Sequence, residues 1–362
     1  MIKLTLKDGS IREAQKGQSA ADIVKSIGSG LLKAACCVKI NGNVADLRTI
    51  INDDCEFEVM TFDSIEGKKT FWHTGSHILA QAVKRLYPEV KLAIGPAIDN
   101  GFYYDFDVPK PFTAEELLNI EAEMKKIVKE GIKLEQFEMS PEDAIAYLKE
   151  QGEPYKVELC EEHADKGESI SFYKQGDFTD LCAGPHLLST SGLKAFKLLS
   201  CTGAYWRGSE KNKMLSRIYA VAYPKAAELE EYLQKLEEAK MRDHNKLGRE
   251  LELFTTVDII GQGLPIMLPK GARIIQLLQR FIEDEEEKRG YLLTKTPLMA
   301  KNDLYKLSGH WDHYQDGMFV LGDESKDKEV FALRPMTCPF QYQVFLNRKR
   351  SYRDLPMRLG ET

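Results

Sequence analysis

The sequence predicts an α+β chain of several domains. Its 362 residues exceed what one ordinary core organises, and about two to four domains is the expectation for that length. Strand-like alternation broken by tight-turn residues fills the first sixty positions. Capped helices and a strand-rich stretch follow, and a long amphipathic helix later feeds a strand that ends in proline.

In the first sixty residues, Lys7-Asp8-Gly9-Ser10 and Asn41-Gly42 are hairpin turns between alternating stretches. SAADIVKSIG is a short helix capped by Ser19, and Cys55 to Phe62 is a further strand. Strands wrapped around one helix suggest a β-grasp module over residues 1–62. DSIEGKK is read as a linker, and HTGSHILAQAVKRLYP as a helix that His73 begins, with Ile78, Leu79, Ala82, Val83 and Leu86 at helical spacing up to Pro88. Thr113 and Glu116 form a capping box for a helix ending near Gly131, and Pro141 opens another that ends near Gly152. From about Tyr155 to Tyr223 the pattern is strand-rich, so residues 64–224 are expected to be an α+β domain. Leu229, Tyr232, Leu233 and Leu236 stripe a charged connecting helix over 225–247. Ile274, Ile275, Leu278, Phe281 and Ile282 are expected to be the buried face of a long helix that Gly290 ends, and Tyr291 to Thr296 enter a strand that stops at Pro297.

Composition excludes several classes. Hydrophobic residues at 43% and charged residues at 29% are those of a soluble globular protein. No apolar run approaches the ~20 residues that span a bilayer, and MIKLTLKDGS lacks a signal-peptide core, so a cytoplasmic location is expected. Seven unevenly spaced cysteines make no disulfide framework. The net charge of −6 requires any nucleic-acid surface to be local; LNRKRSYRDLPMR is one basic cluster, although charge alone reads it as a solvated face.

Two clusters carry chemistry. His73 and His77 lie four residues apart, so on a helix they share a face with Cβ atoms about 5–6 Å apart. Asp180-Leu-Cys182-Ala-Gly-Pro-His186 reads as a short strand entering a Gly-Pro turn. Each cluster alone reads equally well as structure, but together they bring three imidazoles and a thiol to one place, a set suited to metal binding or acid-base work. A zinc-protease reading fails because Thr74 stands where H-E-x-x-H needs glutamate.

The long helix feeding a strand that ends in proline resembles motif 1 of class II aminoacyl-tRNA synthetases. SGHWDHYQDGMF and ALRPMTCPFQ resemble threonyl-tRNA synthetase segments around the synthetic site, the β-grasp module resembles the TGS domain, and HTGSH with DLCAGPH resembles the bacterial threonyl editing domain. These regions run in the family's order from Met1 to Thr362. The resemblance implies an ATP-dependent ligase, with Mg(2+) accompanying ATP, that joins threonine to tRNA(Thr) as a homodimer, with a zinc ion in the synthetic pocket that excludes valine. Serine lacks only a methyl, worth about 1–3 kcal/mol of discrimination, so the resemblance also implies a second, hydrolytic site that removes serine from seryl-tRNA.

Carried over by position, His73, His77, Cys182 and His186 match the editing motif, and Lys156 and Asp180 match two further pocket positions. Water attack on the aminoacyl ester is expected, helped by an imidazole or a thiol-bound water network, with Lys156 holding the tRNA end or developing charge. Which histidine is the base stays open; Cys182 as a covalent nucleophile would need a lowered pKa. Zinc on the four residues, as in related alanyl editing proteins, is an alternative. In the synthetic unit Cys338 matches the family's cysteine zinc ligand and Met336 the pocket wall. The two histidine ligands, motifs 2 and 3 and the anticodon-binding domain fall after Thr362 in that pattern, and His310 and His313 do not replace them. Residues 248–362 are therefore expected to be an incomplete antiparallel-sheet catalytic domain, deficient in aminoacylation. A free-standing editing hydrolase and a non-enzymatic TGS-bearing RNA-binding or regulatory protein with a structural zinc are the rivals.

Overall fold

A computed structural model describes every residue except 166–169 and 315–316. The chain forms two compact units, Met1–Glu237 and Glu238–Thr362.

The first unit opens with a five-stranded mixed sheet in the order Ile11–Ala14, Ile2–Leu6, Cys55–Thr61, Ala35–Ile40 and Asn43–Ala45. The central pair, Ile2–Leu6 with Cys55–Thr61, is parallel, and the hairpin partners are antiparallel. Ser19 accepts the Asp22 N–H and starts the helix Ala20–Ile27, whose Ile23 and Val24 join Leu4, Val38 and Phe57 in one core. This is the expected β-grasp. Asn41 and Gly42 both take positive φ at the hairpin, the conformation that Asn-Gly turns favour.

Around the sites, an antiparallel sheet runs in the order Ala195–Tyr205, Met214–Tyr223, Gly101–Asp107 and Lys91–Leu92. A second antiparallel sheet holds Leu134–Met139, Ile170–Gln175 and Phe178–Leu181. The helices Ile65–Leu86 and Ala114–Glu130 join the first of these sheets in the largest core. Thr113 and Glu116 form their capping box, and Gly131 closes the helix in the left-handed conformation.

Three expectations fail in this unit or at its end. DSIEGKK is not a linker, because Ser64 accepts the Gly67 N–H and the helix starts at Ile65, which puts His73 in mid-helix. Gly67 permits this start, since a Cβ there would lie 1.9 Å from the Thr61 carbonyl oxygen. Tyr155 and Lys156 lie on a helix, Pro154–Asp165, not in a strand. The connecting segment is two helices, Ala226–Met241 and His244–Glu250, because Asp243 accepts the Lys246 N–H and caps a new start.

In the second unit a small core of Tyr305, Trp311, Val330, Ala332 and Phe340 lies beside an antiparallel sheet of Met299–Lys301, Phe331–Leu333 and Val320–Leu321. The expected strand after the long helix is short, Leu292–Leu293, and pairs in parallel with Leu359–Gly360. The long helix forms over Pro269–Lys288, but its predicted buried face is exposed: Ile274, Ile275, Leu278, Phe281 and Ile282 are 39–60% accessible. Helical periodicity identifies an apolar face, and burial depends on which neighbours pack against it.

Candidate functional site

In the helix Ile65–Leu86, every residue from Phe71 to Val83 except His73 is buried. The small residues allow this. A Cβ on Gly75 would lie 2.8 Å from the Phe102 ring, and the Ser76 hydroxyl lies within hydrogen-bonding distance of the His73 and Gly95 carbonyls. His73 and His77, one turn apart, therefore face a packed wall, with their ring centroids 5.2 Å apart.

The strand Phe178–Leu181 delivers Asp180 and then turns at Gly184. Gly184 has a φ of 72°, and a Cβ would meet the Tyr173 hydroxyl at 2.2 Å, so this turn requires glycine. Beyond it, His186 points back to the helix. The His73, His77, Cys182 and His186 ligand atoms all lie within 4.8 Å of one another. The two motifs therefore converge as the sequence suggested.

Hydrogen bonding fixes protons in this group. The Thr74 hydroxyl donates to the Thr70 carbonyl and accepts the Leu187 N–H. Its remaining contact, 3.2 Å to His186 Nδ1, must then receive a proton from the ring. That tautomer leaves His186 Nε2 as an acceptor 3.1 Å from Cys182 Sγ, to which the thiol donates. Cys182 Sγ also accepts the Gly184 N–H and lies 3.3 Å from His73 Nε2. The neutral His73 ring keeps one nitrogen lone pair. Thr74, which ruled out a zinc-protease motif, thus has a role of its own.

Burial keeps the group neutral. It lowers His73 to about 4 and His77 to about 3, pushes His186 well below its ordinary value, and raises Cys182 to about 12. Cys182 is a thiol here, the opposite of an activated nucleophile.

Asp180 lies behind the rings. Its Oδ1 is 2.7 Å from Lys156 Nζ, its Oδ2 accepts the Tyr104 hydroxyl at 2.7 Å, and His77 Nε2 is 3.8 Å away. Burial alone would raise its pKa, but the Lys156 ammonium and these bonds hold it below the ordinary carboxylate value. With side-chain exposures of only 6% for Lys156 and 3% for Asp180, the ammonium's first task is to neutralise this carboxylate. Removing either partner of such a buried pair costs about 3–5 kcal/mol.

Sequence reading missed Tyr104, Tyr173 and Asp46. Tyr104 and Tyr173 sit in strands where an aromatic residue is ordinary, and only the fold brings them to the cluster. A cleft of about 410 Å³ lies against His73, Gly184, Pro185 and Lys69, and a second of about 430 Å³ against Lys156, Asp180 and Arg85.

The predicted synthetic-site residues form no comparable group. Cys338 is exposed at the start of the helix Cys338–Leu346, and Met336 is 40% accessible with His310 Nε2 3.3 Å from its sulfur. Among the described residues, Cys338 gathers no companion ligands, and a lone thiol does not fit a zinc ion.

Comparisons with known proteins bear on both ends of the first unit. The TGS domain family matches residues 2–61, and the family described as threonyl and alanyl tRNA synthetase second additional domain matches residues 170–219. The latter segment contains Asp180, Cys182 and His186. Threonine–tRNA ligase from Clostridium perfringens is 64% identical over 362 residues, 100% of this chain and 56% of that protein. The ligase from Acetivibrio thermocellus is 52% identical over 361 residues, with the same coverages of 100% and 56%. The chain thus spans about half the length of these curated relatives. The crystal structure of the RNA binding domain of threonyl-tRNA synthetase from Cryptosporidium parvum is 37% identical, with a TM-score of 0.31, over 33% of this chain and 29% of that one.

Proposed function

Because the chain belongs to the threonine–tRNA ligase family, we propose that its first unit hydrolyses the ester of wrongly charged seryl-tRNA(Thr). The observation that carries this reading is the convergence of His73, His77, Cys182 and His186, in which His73 and Cys182 are half-buried and His73 lines a cleft. Water held between the His73 lone pair and the ester carbonyl loses its proton to that nitrogen as its oxygen bonds the carbonyl carbon. Collapse of the tetrahedral intermediate expels the ribose oxygen, which takes the proton back. Cys182 and His186 fix the wall of the pocket through their mutual hydrogen bond. Asp180, buried with Lys156 and Tyr104, supplies the negative charge nearest His77 and stabilises an imidazolium in the group as it forms.

A neutral thiol makes a covalent Cys182 route the weaker one. A second reading, in which these four residues hold a zinc ion, is favoured by their donor set and by His77 Nδ1, which is buried without a hydrogen-bond partner. For the whole ligase, we propose threonine, ATP with Mg(2+), tRNA(Thr) and a zinc ion as substrates and cofactors, and a homodimer as its assembly. Cys338 is the residue here that a zinc site would recruit.

The test is the release of serine and of threonine from seryl-tRNA(Thr) and threonyl-tRNA(Thr) by this chain, with and without added zinc. Selective loss of serine supports the reading. Equal release of both, or of neither, overturns it, and release that appears only with zinc transfers the role to the metal.

A further inference from the structure

The loop between the strands Asn43–Ala45 and Ile50–Ile51 belongs to the β-grasp module, yet its charged side chains end on the main chain of the His/Cys site. Asp46 is 6% accessible. Its Oδ2 accepts the His186 backbone N–H at 3.0 Å and the Tyr173 hydroxyl at 2.9 Å. Its Oδ1 accepts the Arg48 backbone N–H at 2.8 Å and Arg48 Nη1 at 2.7 Å. Arg48 in turn donates from Nε to the Leu134 carbonyl and from Nη2 to the Leu187 carbonyl, both at 2.8 Å, and from Nη1 to the His186 carbonyl at 3.3 Å.

Residue 186 is thus held on both sides of its peptide: Asp46 takes the N–H and Arg48 takes the C=O. The same carboxylate orients Tyr173, whose ring lies 4.4 Å from the His186 ring at 63°. A guanidinium spread over three protein carbonyls and one carboxylate is not free to bind a phosphate, so this arginine serves the protein and not an RNA backbone. A buried carboxylate left unpaired is costly, and here Arg48 pairs Asp46 Oδ1 within the loop while the neighbouring site pairs Oδ2.

We propose that Asp46 and Arg48 are positioning residues for the hydrolytic site: the β-grasp module clamps the main chain of His186 and thereby sets the direction of its ring. This rests on the hydrolytic reading above. It assigns the module a part in the chemistry that is separate from any part in holding tRNA.

Asp46→Asn is the direct test, because an amide keeps the size but turns one acceptor oxygen into a donor facing donors. Arg48→Lys keeps the charge and loses the fork, and serves if the first variant fails to fold. With seryl-tRNA(Thr) as substrate, kcat is expected to fall about 10- to 100-fold in Asp46→Asn and less in Arg48→Lys, with KM within about twofold of wild type, as small displacements of reacting groups produce. A raised KM with unchanged kcat would overturn the proposal in favour of tRNA binding, and so would unchanged kinetics in a folded variant. The ring-nitrogen NMR signals of His186, in protein labelled with 15N-histidine, read the clamp without activity. They shift in Asp46→Asn if the clamp orients the ring, and an unmoved spectrum overturns the proposal. If wild type hydrolyses nothing while these signals do shift, the hydrolytic reading fails and the clamp stands.

Discussion

Two long helices of this chain have the same kind of sequence and opposite surroundings. Ile65–Leu86 and Pro269–Lys288 are both amphipathic and of similar length. The first is buried from Phe71 to Val83 apart from His73. The second buries only Gly271 and exposes Leu278, Phe281 and their neighbours. The difference is one of partners. The first helix has a sheet, a second helix and a turn pressed against it, with glycines placed where a side chain would collide. A helix becomes a catalytic wall only when its neighbours are fixed, because a functional group must be held to within a fraction of an ångström.

The largest expected effect isolates the one partly open residue in the buried stretch Phe71–Val83. His73→Ala should lower seryl-tRNA hydrolysis by about 10²- to 10⁴-fold and leave the thermal midpoint almost unchanged, as kinetics and calorimetry on the same sample would show. A large loss of stability would mean that His73 is structural. Lys156→Ala should behave differently, destabilising the first unit by about 3–5 kcal/mol because it strands the buried Asp180 charge; denaturant unfolding measures this.

Matched truncations sharpen the contrast. Ile78→Ala, at a fully buried position, should cost about 2–5 kcal/mol. Leu278→Ala, 59% accessible, should stay within about 0.5 kcal/mol in this chain. Equal costs would show that the second helix face is covered in solution.

Acid should act on the first region through its buried imidazoles. In the unfolded chain these groups take up protons near 6.5, whereas in the folded site His73 waits until about 4 and His77 until about 3. The unfolded state therefore binds more protons in that interval, and stability falls as pH drops from about 6.5 toward 4 and below. The same lowering puts the acid limb of the hydrolysis profile near 4, well under that of a solvent-exposed histidine. Unfolding midpoints across pH 4–8 and a pH–rate profile check both statements.

A purely local effect should not distinguish the regions. Thr113→Ala and Asp243→Ala each remove one helix N-cap and should each cost about 1 kcal/mol, since a cap is a local interaction. Thermal shifts of similar size would agree with this.

Much was legible in the residues themselves. Ser19, Thr113 and Gly131 mark helix ends through bonds made within a few positions, and Pro141 through its ring-fixed φ, and they do so here. The glycine of the Asn-Gly turn and the i, i+4 spacing of His73 and His77 are also local. Ser64 was equally local but stood in a polar stretch that looked like a linker. Asp46, Arg48, Tyr104 and Tyr173 carry no such signal, because the partners that tie them to the site are between 76 and 140 residues away.

By itself, the sequence determined the α+β domain plan, the capped helices and the two motifs whose residues suit metal binding or acid-base work, because hydrogen-bond caps and side-chain periodicity act over one or two turns. Tertiary structure decided the rest: that Cys182 is a half-buried neutral thiol, that Lys156 is committed to Asp180, that one module grips the other at His186, and that the second helix lies bare. Burial and long-range contact set desolvation, and desolvation sets the charge state on which the chemistry depends.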